Sequence, residues 1–272
     1  MQDWYFGLPL WASSLLVIAT AIVVCVGGHL LVRTLLQTRI KSNETELATA
    51  LMGVVSAFIG IMLAFAAVQV WDDYSSADKA VALEAASISE LYRDLTTYGD
   101  EMIPTREAVK VYVHAVLEDE WPRLAKGEPG PLAVSSMIQV FREVGKVEPQ
   151  TNRQTAIYSE VFSKLNEVVG YRRARMIASR AELPALFWIV VLAGSAIIVG
   201  FTFVYPATAT NSVIIGGLAV SLSLIFMFIL DVNHPFAGAY AVDSKEVSDL
   251  LPLFDKISAP ELGPTGAVKI AR

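Results

Sequence analysis

The sequence predicts an all-α integral membrane protein, with four transmembrane helices and a helical cytoplasmic insertion between spans two and three. Three observations carry this expectation. Hydrophobic residues make up 54% of the 272, above the share of an ordinary soluble domain. The excess is gathered into uncharged runs at residues 4–32, 47–71 and 183–230. The last run is too long for one crossing and suits two spans of roughly 20 residues each. In hydrocarbon every backbone amide must be bonded internally, so apolar runs of this length form helices.

Taken in order, residues 1–71 hold spans one and two, with Trp4 and Tyr5 placed as interface anchors. The first apolar stretch is too long for the h-region of a signal peptide and has no basic segment before it, so a cleaved leader is not expected. Span two is expected to run on as one helix, because neither Pro nor Gly occurs between Ile61 and Tyr98. Its later half carries an apolar seam, Val81, Ala85, Ile88, Tyr92 and Leu95, at spacings of four and three.

Residues 72–182 form the helical region. A turn at Gly99-Asp100 precedes a second helix with Val109, Tyr112, Val113, Val116, Leu117 and Trp121 on its apolar face, which makes Trp121 largely buried. The segment Lys126-Gly127-Glu128-Pro129-Gly130-Pro131 breaks the chain. A short helix is expected over residues 132–144 and a long one from 151 towards 182. Residues 183–230 hold spans three and four, with Pro206 and Thr208-Ala209-Thr210-Asn211 as their hairpin. The tail, 231–272, carries four prolines and little periodicity, and is expected to hold a short helix at most and then disorder.

Basic residues near the span ends set orientation. With both termini cytoplasmic, Lys79, Lys164, Arg172, Arg173, Arg175, Arg180 and Lys245 lie inside and Arg33, Arg39 and Lys41 outside, seven against three. A cell-membrane, multi-pass location follows, with the lipid bilayer as first partner. The net charge of −6 weighs against nucleic acid.

Span two is the most informative helix. Gly53, Ala57, Gly60 and Ala64, with Thr49, Ser56 and Ala67, fall in one narrow sector of small residues, the pattern that lets helix backbones approach closely in lipid. Leu51, Val55, Phe58, Met62, Phe65 and Gln69 occupy the opposite sector. Two readings are open: the small face packs while the bulky face meets lipid, or, in a homo-oligomer, the bulky face lines a pore for inorganic ions and forms an apolar constriction. Asp72 and Asp73 follow directly; they mark the span end or, repeated about an axis, form an acidic ring at a pore mouth. The Arg172-Arg173-Ala174-Arg175 cluster either attracts anions or holds its segment on the cytoplasmic side. Asp231 and His234 are a weak metal pair, since a structural zinc site needs four ligands, and are read as a cap or turn.

No H-E-x-x-H, G-x-S-x-G or P-loop occurs. Cys25, the one cysteine, lies within span one without a disulfide partner. The sequence therefore assigns no catalytic residue, metal or cofactor, and the protein is read as a channel rather than an enzyme. The alternative is a membrane-anchored scaffold or sensor whose cytoplasmic helices bind a partner.

One set of residues resembles a known family. Glu84-Ala85-Ala86 with Tyr92-Arg93, then Tyr112 with Glu120-Trp121-Pro122 and Gly127, then Arg172 and Arg175, Leu183-Pro184 with Trp188, and finally His234-Pro235-Phe236 with Gly238 are similar in kind and order to the motifs of the bestrophin-like domain family. The family is named for a distant likeness to bestrophin anion channels. The resemblance implies a pentamer-like layout of four spans per subunit, cytoplasmic termini and a pore lined by span two. No calcium clasp aligns with the sparse acids of this tail.

Overall fold

A computed structural model describes residues 9–36 and 42–258. Every regular element among them is helical. The anchors Trp4 and Tyr5, and Arg39 and Lys41 of the first hairpin, lie outside the described residues. Among the described residues four helices are long and apolar enough to cross a membrane, Trp11–Leu35, Glu44–Tyr98, Ala185–Thr202 and Ala209–Val232. The chain is an all-α membrane protein. It divides into two compact units, Met1–Ser76 with Ala178–Val242, and Ala77–Ile177 with Asp243–Arg272.

The first unit contains the spans. Span one is α1 (Leu10–Ile22), a π-helical turn at Val23–Gly27 and α2 (Gly28–Leu36). Span two is the first part of α3 (Ser42–Tyr98); spans three and four are α8 (Ala185–Thr202) and α9 (Ala209–Val232). Ile59, Leu63, Ala66 and Val70 of α3 pack with Val191, Ile198, Ile229 and Val232. Cys25 packs with Ile215 and Ala219 of α9. The chain between α8 and α9 is fastened by Arg33, whose Nε donates to the Tyr205 carbonyl at 2.7 Å and whose Nη2 donates to that of Val204 at 2.8 Å. Those carbonyls lie in the turn just beyond the end of α8.

The second unit is built from the rest of α3, from α4 (Ile103–Ala115), a π turn (Val116–Glu120) and α5 (Trp121–Leu124), and from α6 (Pro131–Val144) and α7 (Asn152–Ala178). The short helices α10 (Lys245–Ser248) and α11 (Leu250–Ser258) complete it. The seam of α3 is buried at all five positions, Val81, Ala85, Ile88, Tyr92 and Leu95. Gly99 ends the helix at φ 131°, a backbone conformation that glycine adopts without Cβ strain.

Two local features differ from the sequence expectation, while Trp121 is mostly buried, as expected. The π turn before it adds a residue to the helical circuit, and the inward register becomes Val116, Glu120 and Leu124. Helix α7 ends at Ala178 rather than continuing towards 182; the chain leaves it in a turn closed by the Ala181 N–H donating to the Ala178 carbonyl at 3.2 Å, and the Leu183 N–H donates to Asn233 Oδ1 at 2.9 Å. Within its described residues the tail holds two helices. Pro252 stands in the first turn of α11, where no N–H is needed, while Leu250 and Phe254, one turn apart, are buried.

Candidate functional site

Helix α3 presents three sectors within the first unit. The packed sector is Ile59, Leu63, Ala66 and Val70. At 100° per residue, the small residues fall on one flank of it and the bulky ones on the other. On the small flank Gly53, Ala57, Gly60 and Ala64 are exposed, and a Cβ added at Gly53 or Gly60 would meet no atom within 4 Å. On the bulky flank Phe58 is 68% exposed, Phe65 73%, and Leu51 is exposed as well. Val55 and Met62 are partly buried against the core. Gln69 donates from Nε2 to Asp73 Oδ1 at 3.0 Å, so the half-buried Asp73 is tied one helical turn back while Asp72 stays exposed.

The family-like residues fall into two groups. In the second unit, Glu84, Tyr112, Glu120, Arg172 and Arg175 converge on one ionic cluster. Arg175 donates from Nε to Glu84 Oε2 at 2.7 Å and from Nη2 to Glu84 Oε1 at 3.1 Å. The same Nη2 lies 2.8 Å from Glu120 Oε1. Tyr112 donates its hydroxyl to Glu84 Oε1 at 2.8 Å. Arg172 donates from Nε to Glu120 Oε1 at 3.1 Å and from Nη2 to Oε2. The Gly130 N–H reaches Glu120 Oε2 at 3.1 Å, and the Arg175 guanidinium lies 5.5 Å from the Trp121 ring centre. Glu84, Glu120 and Arg175 have no exposed side-chain surface.

Two carboxylates thus meet two guanidiniums, the balance that a buried ionic cluster needs. Burial alone would push the Glu120 carboxyl up, but hydrogen bonds from Arg172 and the charge of Arg175 hold it below its usual range. Burial and the neighbouring Glu84 charge push the Tyr112 phenol well up. Chemically the cluster is a clamp: Glu84, Glu120 and Arg175 are sealed from solvent, Arg172 closes it at the surface, and the buried Arg175 Nη1 alone is left without a hydrogen bond. Two of the arginines that the sequence offers to lipid or anions, Arg172 and Arg175, are spent here, and Arg173 beside them is exposed.

The second group shapes the ends of spans three and four. Pro184 is the N-cap of α8. Trp188, one turn on, is half-buried against the core and meets Phe187 edge-on. His234, Pro235 and Phe236 form the turn after α9, closed by Val242 N–H donating to the Pro235 carbonyl at 2.8 Å. Gly238 turns there at φ 80°. Burial pushes the His234 imidazole down, against the opposing charge of Glu182. Tyr92 stands apart from both groups, stacked on Phe254 with ring centres 4.0 Å apart and hydrogen-bonded to Ser258 at 2.8 Å; Arg93 next to it is exposed.

Sequence reasoning missed Gly130, Asn233 and Phe254 as participants. Gly130 read only as a breaker, yet a Cβ there would stand 2.7 Å from Glu120 Cα and from Asp119 Oδ2. Phe254 is visible in hindsight as the i+4 partner of Leu250. Nothing in the sequence pairs Asn233 with Leu183. No group of three or more His, Cys, Asp or Glu able to hold a metal occurs among the described residues.

Comparison with known proteins agrees with this architecture. A crystal structure of a membrane protein is similar at a TM-score of 0.66 and 10% identity, over 89% of this chain and 99% of that one. At that identity the likeness is one of fold. No curated protein matches the chain. The model of the bestrophin-like domain matches residues 19–247, most of the sequence, and the chain belongs to the bestrophin-like domain family.

Proposed function

We propose that this protein is a homo-oligomeric ion channel with a pore lined by its second transmembrane helix. One observation supports the reading above others: α3 leaves Gly53, Ala57, Gly60 and Ala64 exposed on one flank and Leu51, Phe58, Phe65 and Gln69 on the other, on either side of the sector that packs within the subunit. In an assembly about a central axis, Gly53, Ala57, Gly60 and Ala64 pack against a neighbouring copy, the close approach that small residues permit. Leu51, Val55, Phe58, Met62, Phe65 and Gln69 then face the axis, with Phe58 and Phe65 as an apolar neck. Asp72 and Asp73 form the pore mouth. Residues 72–182 and both termini are assigned to the cytoplasm. No catalytic step is assigned.

Ion flux from liposomes tests the reading. Wild-type protein should conduct, and Phe58→Ala or Phe65→Ala should raise flux by widening and wetting the neck while leaving assembly intact. Liposomes that stay tight with the wild type and both variants would exclude the channel, and a membrane-anchored scaffold or sensor would replace it.

A further inference from the structure

We propose that a pocket where the spanning part of α3 meets the end of α9 binds an alkylammonium group. The pocket has a volume of about 360 Å³ and is lined by Trp71, Tyr74, Met227, Phe228, Asp231, Val232 and Tyr240, all within the first unit. This volume is at the small end of the range for organic-ligand sites.

Four of the seven lining residues are aromatic. Trp71 and Tyr74 are one helical turn apart and stack with ring centres 5.9 Å apart and planes at 25°. Tyr240, brought in by the turn after α9, is half exposed. Asp231 contributes a carboxylate with a buried Oδ2, and no basic side chain is among the residues that line the pocket.

Aromatic faces carry partial negative charge and attract cations most strongly when the cation is poorly hydrated. A bare sodium or calcium ion needs several oxygen ligands in place of its water, and these walls offer one carboxylate. A choline-like or alkylammonium group loses little on leaving water and matches aromatic walls and carboxylate together. Charge complementarity therefore selects an organic cation over an inorganic one. The pocket lies where the uncharged run of span two ends at Trp71 and span four ends at Val232, so the ammonium arrives on a lipid headgroup or as a free solute. This inference is independent of ion conduction and is read without it.

Full-length protein in nanodiscs of phosphatidylglycerol, which carries no ammonium group, is titrated with choline chloride and, at equal ionic strength, with sodium chloride. Calorimetry should show saturable choline binding and none for sodium. Asp231→Asn and, separately, Tyr240→Leu should each weaken binding by about tenfold or more; Tyr240 is half exposed, so its replacement leaves the fold intact. Repeating the titration in phosphatidylcholine nanodiscs identifies the source: loss of free-choline binding assigns the site to the lipid headgroup, and retention assigns it to a soluble cation. Equal responses to choline and sodium, or choline binding unchanged in both variants, would overturn the proposal.

Discussion

Arg175 grips Glu84 through two hydrogen bonds, at 2.7 and 3.1 Å, across 91 positions of sequence. The pair fastens α7 to the later half of α3, and neither side chain has exposed surface. A fork-to-fork guanidinium–carboxylate contact of this kind fixes both direction and distance. The α3–α7 arrangement is therefore specified by charge geometry as well as by apolar burial.

Removing one member of this pair should cost far more than a surface ion pair does. Arg175→Ala leaves Glu84 and part of Glu120 buried without compensation, and such losses run to about 3–5 kcal/mol. Arg175→Lys should recover little, because one ammonium cannot reproduce both bonds to Glu84 and the contact with Glu120. Thermal unfolding of the detergent-solubilised protein measures this. A melting temperature within a degree of wild type for Arg175→Ala would show the cluster to be energetically neutral.

Acid should weaken the same cluster. Glu120 has a folded value below its unfolded one, so its contribution is fully present above the unfolded value of about 4.3. It drains away as pH falls from there through the folded value. Melting temperature recorded from pH 7 to pH 3 should hold steady on account of this group until near the unfolded value and then decline. Glu120→Gln should be less stable at neutral pH and should show a shallower acid decline. An identical slope in the variant would assign the acid sensitivity to other groups.

The spans and the seam of α3 were legible because their signals are local. An uncharged run declares a span, and alternating spacings of four and three declare which side of a helix turns inward. The ionic cluster was not legible. Its members stand at 84, 112, 120, 130, 172 and 175, and periodicity treats a polar residue as solvent-facing wherever it falls. The arginines at 172 and 175 carried an equally good local explanation as a topology signal. Glu120 turns inward for a reason of its own: the π turn at Val116–Glu120 shifts the buried register onto it, and no sequence rule marks that turn. The family-like motifs did include the five side chains of the cluster, though not Gly130, but as a set in order along the chain, without the contacts that join them.

Topology is testable at an exposed position whose hydrogen bonds are all local. Gly130 is a poor place for a reporter, since its N–H serves Glu120. Gln150 lies in the exposed segment between α6 and α7. A reporter active only in the cytoplasm, inserted at Gln150, should be active, as should one fused after residue 272. Activity of a periplasm-only reporter at Gln150 would reverse the assignment.

Two glycines on facing helices separate contacts within a subunit from contacts between subunits. At Gly194 of α8, an added Cβ would stand 2.2 Å from Ile59 Cδ1 and 2.7 Å from its Cγ1, and Ile59 is itself buried in the span core. At Gly60 of α3, the residue next to Ile59, an added Cβ meets nothing. Gly194→Val should therefore destabilise the isolated subunit by about 1–3 kcal/mol, the common cost of overpacking, whatever the state of assembly. Gly60→Leu has no such contact to disturb within a subunit. If α3 packs against a second copy through its small flank, Gly60→Leu should instead convert oligomer to monomer in size-exclusion chromatography with light scattering, with the helical content of the subunit unchanged. Substituting the bulky flank, as in Phe65→Ala, should leave the mass of the assembly as it was. An intact oligomer carrying Gly60→Leu would remove the small flank from the interface, and wild-type protein that is monomeric at every concentration would remove the interface altogether.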